Sequence, residues 1–201
     1  RDSSHANSIA NYHGGISTLL NALSVSSSES VAAAGTTTTG TASSSPTDDT
    51  DTDIELITDD MIYERVLGCL CGLLSPSSNA DGLDLVASFH NEDGLSTIFR
   101  CVRQYQSQRL LLENAFELLF YLSCRVRVVL TSIVGMSSTI QNGVGARAAR
   151  SIENQFIQEE NVFVLLGTIN QYIEYENASE LICQRGLGIL VNIHAFSMQQ
   201  K

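Results

Sequence analysis

An all-α chain built from about three repeats of one helical unit is the fold class that this sequence predicts, and three observations carry it. A ten-residue block is written three times, as Glu64-Arg-Val-Leu-Gly-Cys-Leu-Cys-Gly-Leu73, Glu113-Asn-Ala-Phe-Glu-Leu-Leu-Phe-Tyr-Leu122 and Gln184-Arg-Gly-Leu-Gly-Ile-Leu-Val-Asn-Ile193. In each copy apolar or small residues fall at i, i+3, i+4 and i+7, one face of a helix of period 3.6. A second helical pattern precedes each block with the same spacing: Ile16, Leu19, Leu20, Leu23, then Leu95, Ile98, Phe99, Val102, then Val162, Leu165, Leu166, Ile169. Finally, a chain of 201 residues that is 43% hydrophobic and lacks Trp can bury a sizeable core packed through aliphatic side chains.

Each element then follows in order. Gly14-Gly15, Asp93-Gly94 and Glu160-Asn161 stand ahead of the second helices, as turn residues do where one helix ends and another begins at an angle. Short helices are expected before those turns, around Ser8–His13, Leu83–His90 and Ser151–Gln158. The unit is a short helix, a turn and two longer helices. From the second helix to the third-helix block is 48 residues in the first unit, against 18 and 22 in the others, so the first unit holds about 30 extra. That insertion is residues 24–53, rich in Ser and Thr and ending in Asp48-Asp-Thr-Asp-Thr-Asp53. With almost no large apolar side chains it cannot offset its ordering entropy, and it reads as a disordered loop. Loop closure grows only with the logarithm of length, which makes such an insertion tolerable. Ser45 precedes a Pro, and Ser45, Thr50 and Thr52 each have an acid three residues later, so these three are candidate phosphosites of a regulatory loop. A second insertion, residues 125–150, is expected as a basic surface loop with one helical turn. Its Gly143 and Gly145 lack the preceding strand and the lysine of a nucleotide-binding loop.

With the insertions removed the period is roughly 45–49 residues, near the ~40–47 of armadillo and HEAT units. Glu113-Asn114-Ala115 and Leu190-Val191-Asn192-Ile193 match the two ends of the armadillo third-helix pattern, and the unit resembles an armadillo repeat. The resemblance implies a right-handed superhelical solenoid whose third helices line a concave groove for a protein partner. Asn114, Glu117, Tyr121, Arg185 and Asn192 are its candidate groove residues, together with Arg65, Gly68, Gly72 and Gly188 at the equivalent places. In that family an asparagine late in the third helix holds the backbone of an extended peptide, and Asn192 alone occupies the place here; the family's groove tryptophans are missing. Gly167-Thr-Ile-Asn170, Arg185–Ile193 and Phe196-Ser197 are also similar to the last helical repeats of Wapl proteins, which would imply a nuclear regulator of cohesin.

Charge is distributed unevenly. Residues 1–99 carry 14 acids and 2 bases, residues 100–150 carry 2 and 7, and residues 151–201 carry 6 and 2. The middle segment is a basic belt of Arg100, Arg103, Arg109, Arg125, Arg127, Arg147 and Arg150, a residue type suited to bidentate contact with carboxylate or phosphate. An acidic peptide, or the protein's own acidic loop, is the partner this belt suggests. A phosphate-directed binder of nucleic acid or lipid headgroups is the alternative, disfavoured by a sequence pI of about 4.6 and the absence of interleaved aromatics.

Catalytic and metal constellations are not evident. His5, His13, His90 and His194 are scattered, no nucleophile sits in a recognisable elbow, and Cys69, Cys71, Cys101, Cys124 and Cys183 show no zinc spacing. No cofactor is expected. An odd number of helical cysteines argues for a reducing, intracellular compartment, cytoplasmic or nuclear. No run approaches the ~18 apolar residues of a membrane span. Asn177-Ala-Ser179 matches a glycosylation sequon by chance. The opening Arg1 and the stop one turn after the third block suggest a piece of a longer solenoid with further repeats in the same chain. The functional expectation is a non-enzymatic interaction scaffold.

Overall fold

Residues 14–29, 59–75, 82–133, 143–174 and 178–199 are described by the computed structural model, and among them the chain is all-helical. In order the helices are α1 (Gly15–Glu29), α2 (Asp59–Leu74), α3 (Gly82–Asn91), α4 (Gly94–Gln104), α5 (Arg109–Ile133), α6 (Val144–Phe156), α7 (Glu159–Ile173) and α8 (Glu180–Gln199). The expected short helix at Ser8–His13, the phosphosites Ser45, Thr50 and Thr52, and Asn177 lie outside the described residues. No described helix is long and apolar enough to cross a membrane.

The repeated blocks form the cores of α2, α5 and α8, and the patterns preceding them form α1, α4 and α7. Like elements pack on like. The most extensive contacts are α5 with α8 and α2 with α5, while α3 lies on α6, and α4 touches both α1 and α7. Within a unit the second helix packs on the third, as α1 on α2 and α7 on α8 do. One continuous core results, including Leu20, Leu67, Phe89, Phe99, Phe116, Leu119, Phe156 and Phe196, all almost fully buried. Burying each such side chain is worth about 1.5–3 kcal/mol, far more than any helix propensity, so the apolar faces decide the arrangement.

Turn chemistry sets the angles between helices. Asp93, ahead of α4, adopts the left-handed conformation (φ 49°), which Asp tolerates better than most residues, and its Oδ1 accepts a 2.7 Å hydrogen bond from Ser96 Oγ. Gly94 follows because a Cβ there would stand 2.6 Å from Phe89 Cδ1 and 2.9 Å from Leu20 Cδ1. The close approach of three helices at this corner therefore excludes a side chain. At the other end of the molecule Ser179 is the N-cap of α8, its Oγ accepting from the Ile182 N–H at 3.3 Å.

Two expected loops are corrected. Of residues 125–150, 125–133 and 144–150 are helix rather than surface loop, since α5 runs on to Ile133 and α6 begins at Val144; residues 134–142 lie outside the described residues. Val126, Val129, Leu130 and Ile133 continue the buried stripe from Leu122, and Ala146, Ala149, Ile152 and Phe156 form another, so both segments bury an apolar face. α6 consequently starts seven residues before the short helix expected from Ser151. Of residues 24–53, the backbone of 24–29 is helical and extends α1; adding residues to an existing helix costs little, and serine does not break one. Residues 30–53 lie outside the described residues.

The extension of α5 is testable. Val126→Ala should cost about 2 kcal/mol by urea unfolding, because Val126 is fully buried, while Val128→Ala, 63% exposed, should stay within about 0.5 kcal/mol. Equal effects would mean that residues 125–133 are not held as this helix.

Candidate functional site

Numbering each block from Glu64, Glu113 and Gln184 as its first residue shows what the polar positions do. The second position holds Arg65, Asn114 and Arg185; the fifth Gly68, Glu117 and Gly188; the ninth Gly72, Tyr121 and Asn192. In the second and third units Asn114, Arg185 and Asn192 reach back to the third helix of the preceding unit. Asn114 Nδ2 donates to the Glu64 carbonyl at 3.3 Å, and the Cys71 thiol donates to the Asn114 carbonyl at 3.2 Å, tying α5 to α2. Between α8 and α5 the central side chain is Arg185. Its Nη2 donates to Glu117 Oε1 at 3.2 Å, and its Cζ lies 4.8 Å from the Phe120 ring centroid and 5.6 Å from that of Tyr121. The Tyr121 hydroxyl donates to the same Glu117 oxygen at 2.8 Å. Beneath them the Phe120 ring rests on Gly188, where a Cβ would stand 2.6 Å from Cε2.

Of the five expected groove residues, then, Glu117, Tyr121 and Arg185 form one half-exposed cluster. Asn114 sits apart, its side chain bonded to α2. Asn192 is only 5% exposed: its amide donates to Ser123 Oγ at 2.8 Å and to Cys124 Sγ at 3.5 Å, and its Oδ1 accepts from Arg127 Nη1 at 3.2 Å. Such an amide is already satisfied within the fold.

Next to Arg185 an open cleft of about 450 Å³ lies between the first turns of α5 and α8, lined by Arg109, Glu113, Ser179, Glu180, Leu181, Gln184 and Arg185. Arg109 Nε donates to Glu113 Oε1 at 2.8 Å, and Ser179 Oγ donates to the same oxygen at 2.7 Å. Partial burial works to raise the Glu113 pKa, but these two hydrogen bonds and the Arg109 charge outweigh it and hold the carboxyl below its ordinary 4.5. Burial, the Glu117 hydrogen bond and the Glu117 charge push the Tyr121 phenol up. Reading the sequence did not single out Ser179, Glu180 or Leu181 for the site; the available signal was a Ser immediately before an acid and an apolar period, a helix start.

The basic belt divides. Arg103 Nη2 donates to Asn161 Oδ1 at 2.8 Å and lies 3.9 Å from Glu160. Arg125 donates to the Leu74 and Ser75 carbonyls at the end of α2, at 3.4 and 2.9 Å, which suits a cation at a helix C-terminus. Arg127 is held by Asn192 and Arg109 by Glu113. Arg100, Arg147 and Arg150 are exposed, and among the described residues their side chains make no hydrogen bond or ion pair. No group of three or more His, Cys, Asp or Glu among the described residues is arranged to hold a metal ion. Cys71 and Cys101 are buried: desolvation pushes their thiols up to about 12 and about 11, with Glu117 adding to the first and Arg100 opposing the second. A thiol so placed is not a nucleophile at neutral pH.

Compared with models of protein families, with curated proteins and with solved structures, the chain matches none.

Two measurements check this geometry. The folded Glu113 pKa lies below its unfolded value, so its stabilisation is complete above that value and is lost as pH falls from 4.5 through the folded pKa. Glu113→Gln should therefore destabilise at neutral pH and lose that effect progressively as pH falls below 4.5 in urea unfolding; an effect independent of pH would show that the Arg109 and Ser179 contacts do not act on the carboxylate. Alkylation by iodoacetamide, mapped by mass spectrometry, should mark exposed Cys69 in the native protein and reach Cys71 and Cys101 only after unfolding.

Proposed function

We propose that this chain is a non-enzymatic interaction scaffold, an armadillo-like solenoid of three helical units that takes an acidic, extended segment of a partner protein at the first turns of α5 and α8. The stacking of third helix on third helix and second on second supports the solenoid. The single observation that carries the binding reading is the open cleft with Arg109 and Arg185 on its walls. Each guanidinium gives one nitrogen to a glutamate, at 2.8 and 3.2 Å, and a guanidinium has five N–H donors in a planar fork. The remaining donors suit a carboxylate from a partner. Glu113, Glu180 and Gln184 on the same walls offer acceptors for backbone N–H groups of an extended chain. The cleft thus has complementary polar groups for a peptide. A phosphate-directed reading draws less support, because Arg103, Arg125 and Arg127 are committed to partners within the chain.

Peptides selected on this protein from a displayed random library provide the test, with affinity read by fluorescence anisotropy. Replacing both Arg109 and Arg185 by lysine keeps the charge and removes the fork; the peptides should carry an acid and lose about tenfold or more, roughly 1.4 kcal/mol. Arg147→Ala with Arg150→Ala should leave affinity within about twofold. The reverse pattern, or peptides without acids, would overturn the assignment.

A further inference from the structure

The first and third units each leave one flank of the third helix bare, and the two bare flanks are the two halves of a junction that the molecule already makes twice. Block positions four, eight and eleven are covered in the first unit (Leu67 0%, Cys71 7%, Leu74 0% exposed). They are covered in the second unit too, where Phe116 and Ser123 are fully buried and Phe120 is half-buried. In the third unit the same positions are open: Leu187 is 57% exposed, Val191 62%, and His194 is exposed. What differs is the neighbour, since α5 covers α2 and α8 covers α5, while no described helix covers this flank of α8. The second helices agree. Phe99 is buried, with the Phe156 ring of the next unit edge-on at 6.2 Å, while its counterpart Leu166 is 45% exposed and lies between Phe163 and Ile173, each 62% exposed. An apolar face of this extent marks an interaction surface.

The opposite flank follows the opposite rule. Position six is Leu118 and Ile189 in the second and third units, both fully buried, and exposed Cys69 in the first. Around Cys69, Arg65, Gly68 and Gly72 are also exposed, and a Cβ on either glycine would meet nothing within 4 Å.

We infer that these two flanks bind each other, so that a second copy of this chain seats its α2 on α8 of the first and copies associate head to tail. The fit is specific at two places. Gly68 repeats Gly188, the seat of Phe120, and the residue in Phe120's place on α8 is Val191. Where the internal junction pairs Ser123 with Asn192, the junction between copies pairs His194 with Gly72, a larger residue against a smaller one. Arg65 repeats Arg185. Since the two surfaces differ, the contact is heterologous and does not close after two subunits; it propagates into a ring or a fibre.

Sedimentation velocity over a wide range of protein concentration tests this assembly. Wild type should grow with concentration beyond a dimer. Leu187→Asp with Val191→Asp should disable one flank and Gly68→Leu the other; all three positions are exposed, so both variants should fold, as circular dichroism would verify. Each variant alone should stay monomeric or associate more than about tenfold more weakly than wild type, and a mixture of the two should form one-to-one pairs through the flanks left intact. A wild type that is monomeric throughout overturns the inference. So does a Gly68→Leu variant that associates as wild type does, which would mean α8 packing on α8, and so does a monomer whose α8 flank accepts only a different helical unit.

Discussion

The approach of α8 to α5 through Gly188 is the constraint on which the rest of the structure depends. A ring the size of Phe120 lies against a helix backbone only where the facing residue has no side chain, and the ring then supplies the floor on which Arg185 rests. Arg185 in turn reaches Glu117, and the Tyr121 hydroxyl completes the carboxylate's bonding. Close backbone approach, cation over ring and shared acceptor are thus one assembly rather than three contacts. A side chain at Gly188 would displace the Phe120 ring, or α8 itself, and so disturb all three together.

Much of this was legible in the residues themselves. Block periodicity placed α2, α5 and α8, the preceding stripes placed α1, α4 and α7, and the span Leu83–His90 nearly coincides with α3. Loop expectations failed where the buried stripe was made of small residues or continued past a helix that already looked complete. Ala146 and Ala149 contribute little to a hydrophobic pattern, yet alanine is the strongest helix former and lets α6 lie close on α3. Val126, Val129 and Leu130 were read through the arginines between them.

The destinations of the polar residues were less legible, for a reason that lies in geometry. A sequence period displays one apolar face per helix and assigns everything opposite to an open surface. A third helix in the middle of this molecule has neighbours on two flanks, and the second flank is built from polar groups that find partners only in three dimensions. Asn192 is the sharpest case: a side chain suited to grasping a peptide backbone is buried against Ser123, Cys124 and Arg127. Nothing within α8 distinguishes those two fates, because the deciding atoms lie some 65–69 residues earlier in the chain.

That buried amide also makes the junction mechanically discrete. Sliding α8 along α5 by one turn, about 5.4 Å, would carry Gly188 from beneath Phe120 and strand the buried Asn192 amide without its bonds, at a cost of about 1–3 kcal/mol for such a group left unsatisfied. The pair of helices therefore has one favoured register, so α5 and α8 respond to load as a single strut.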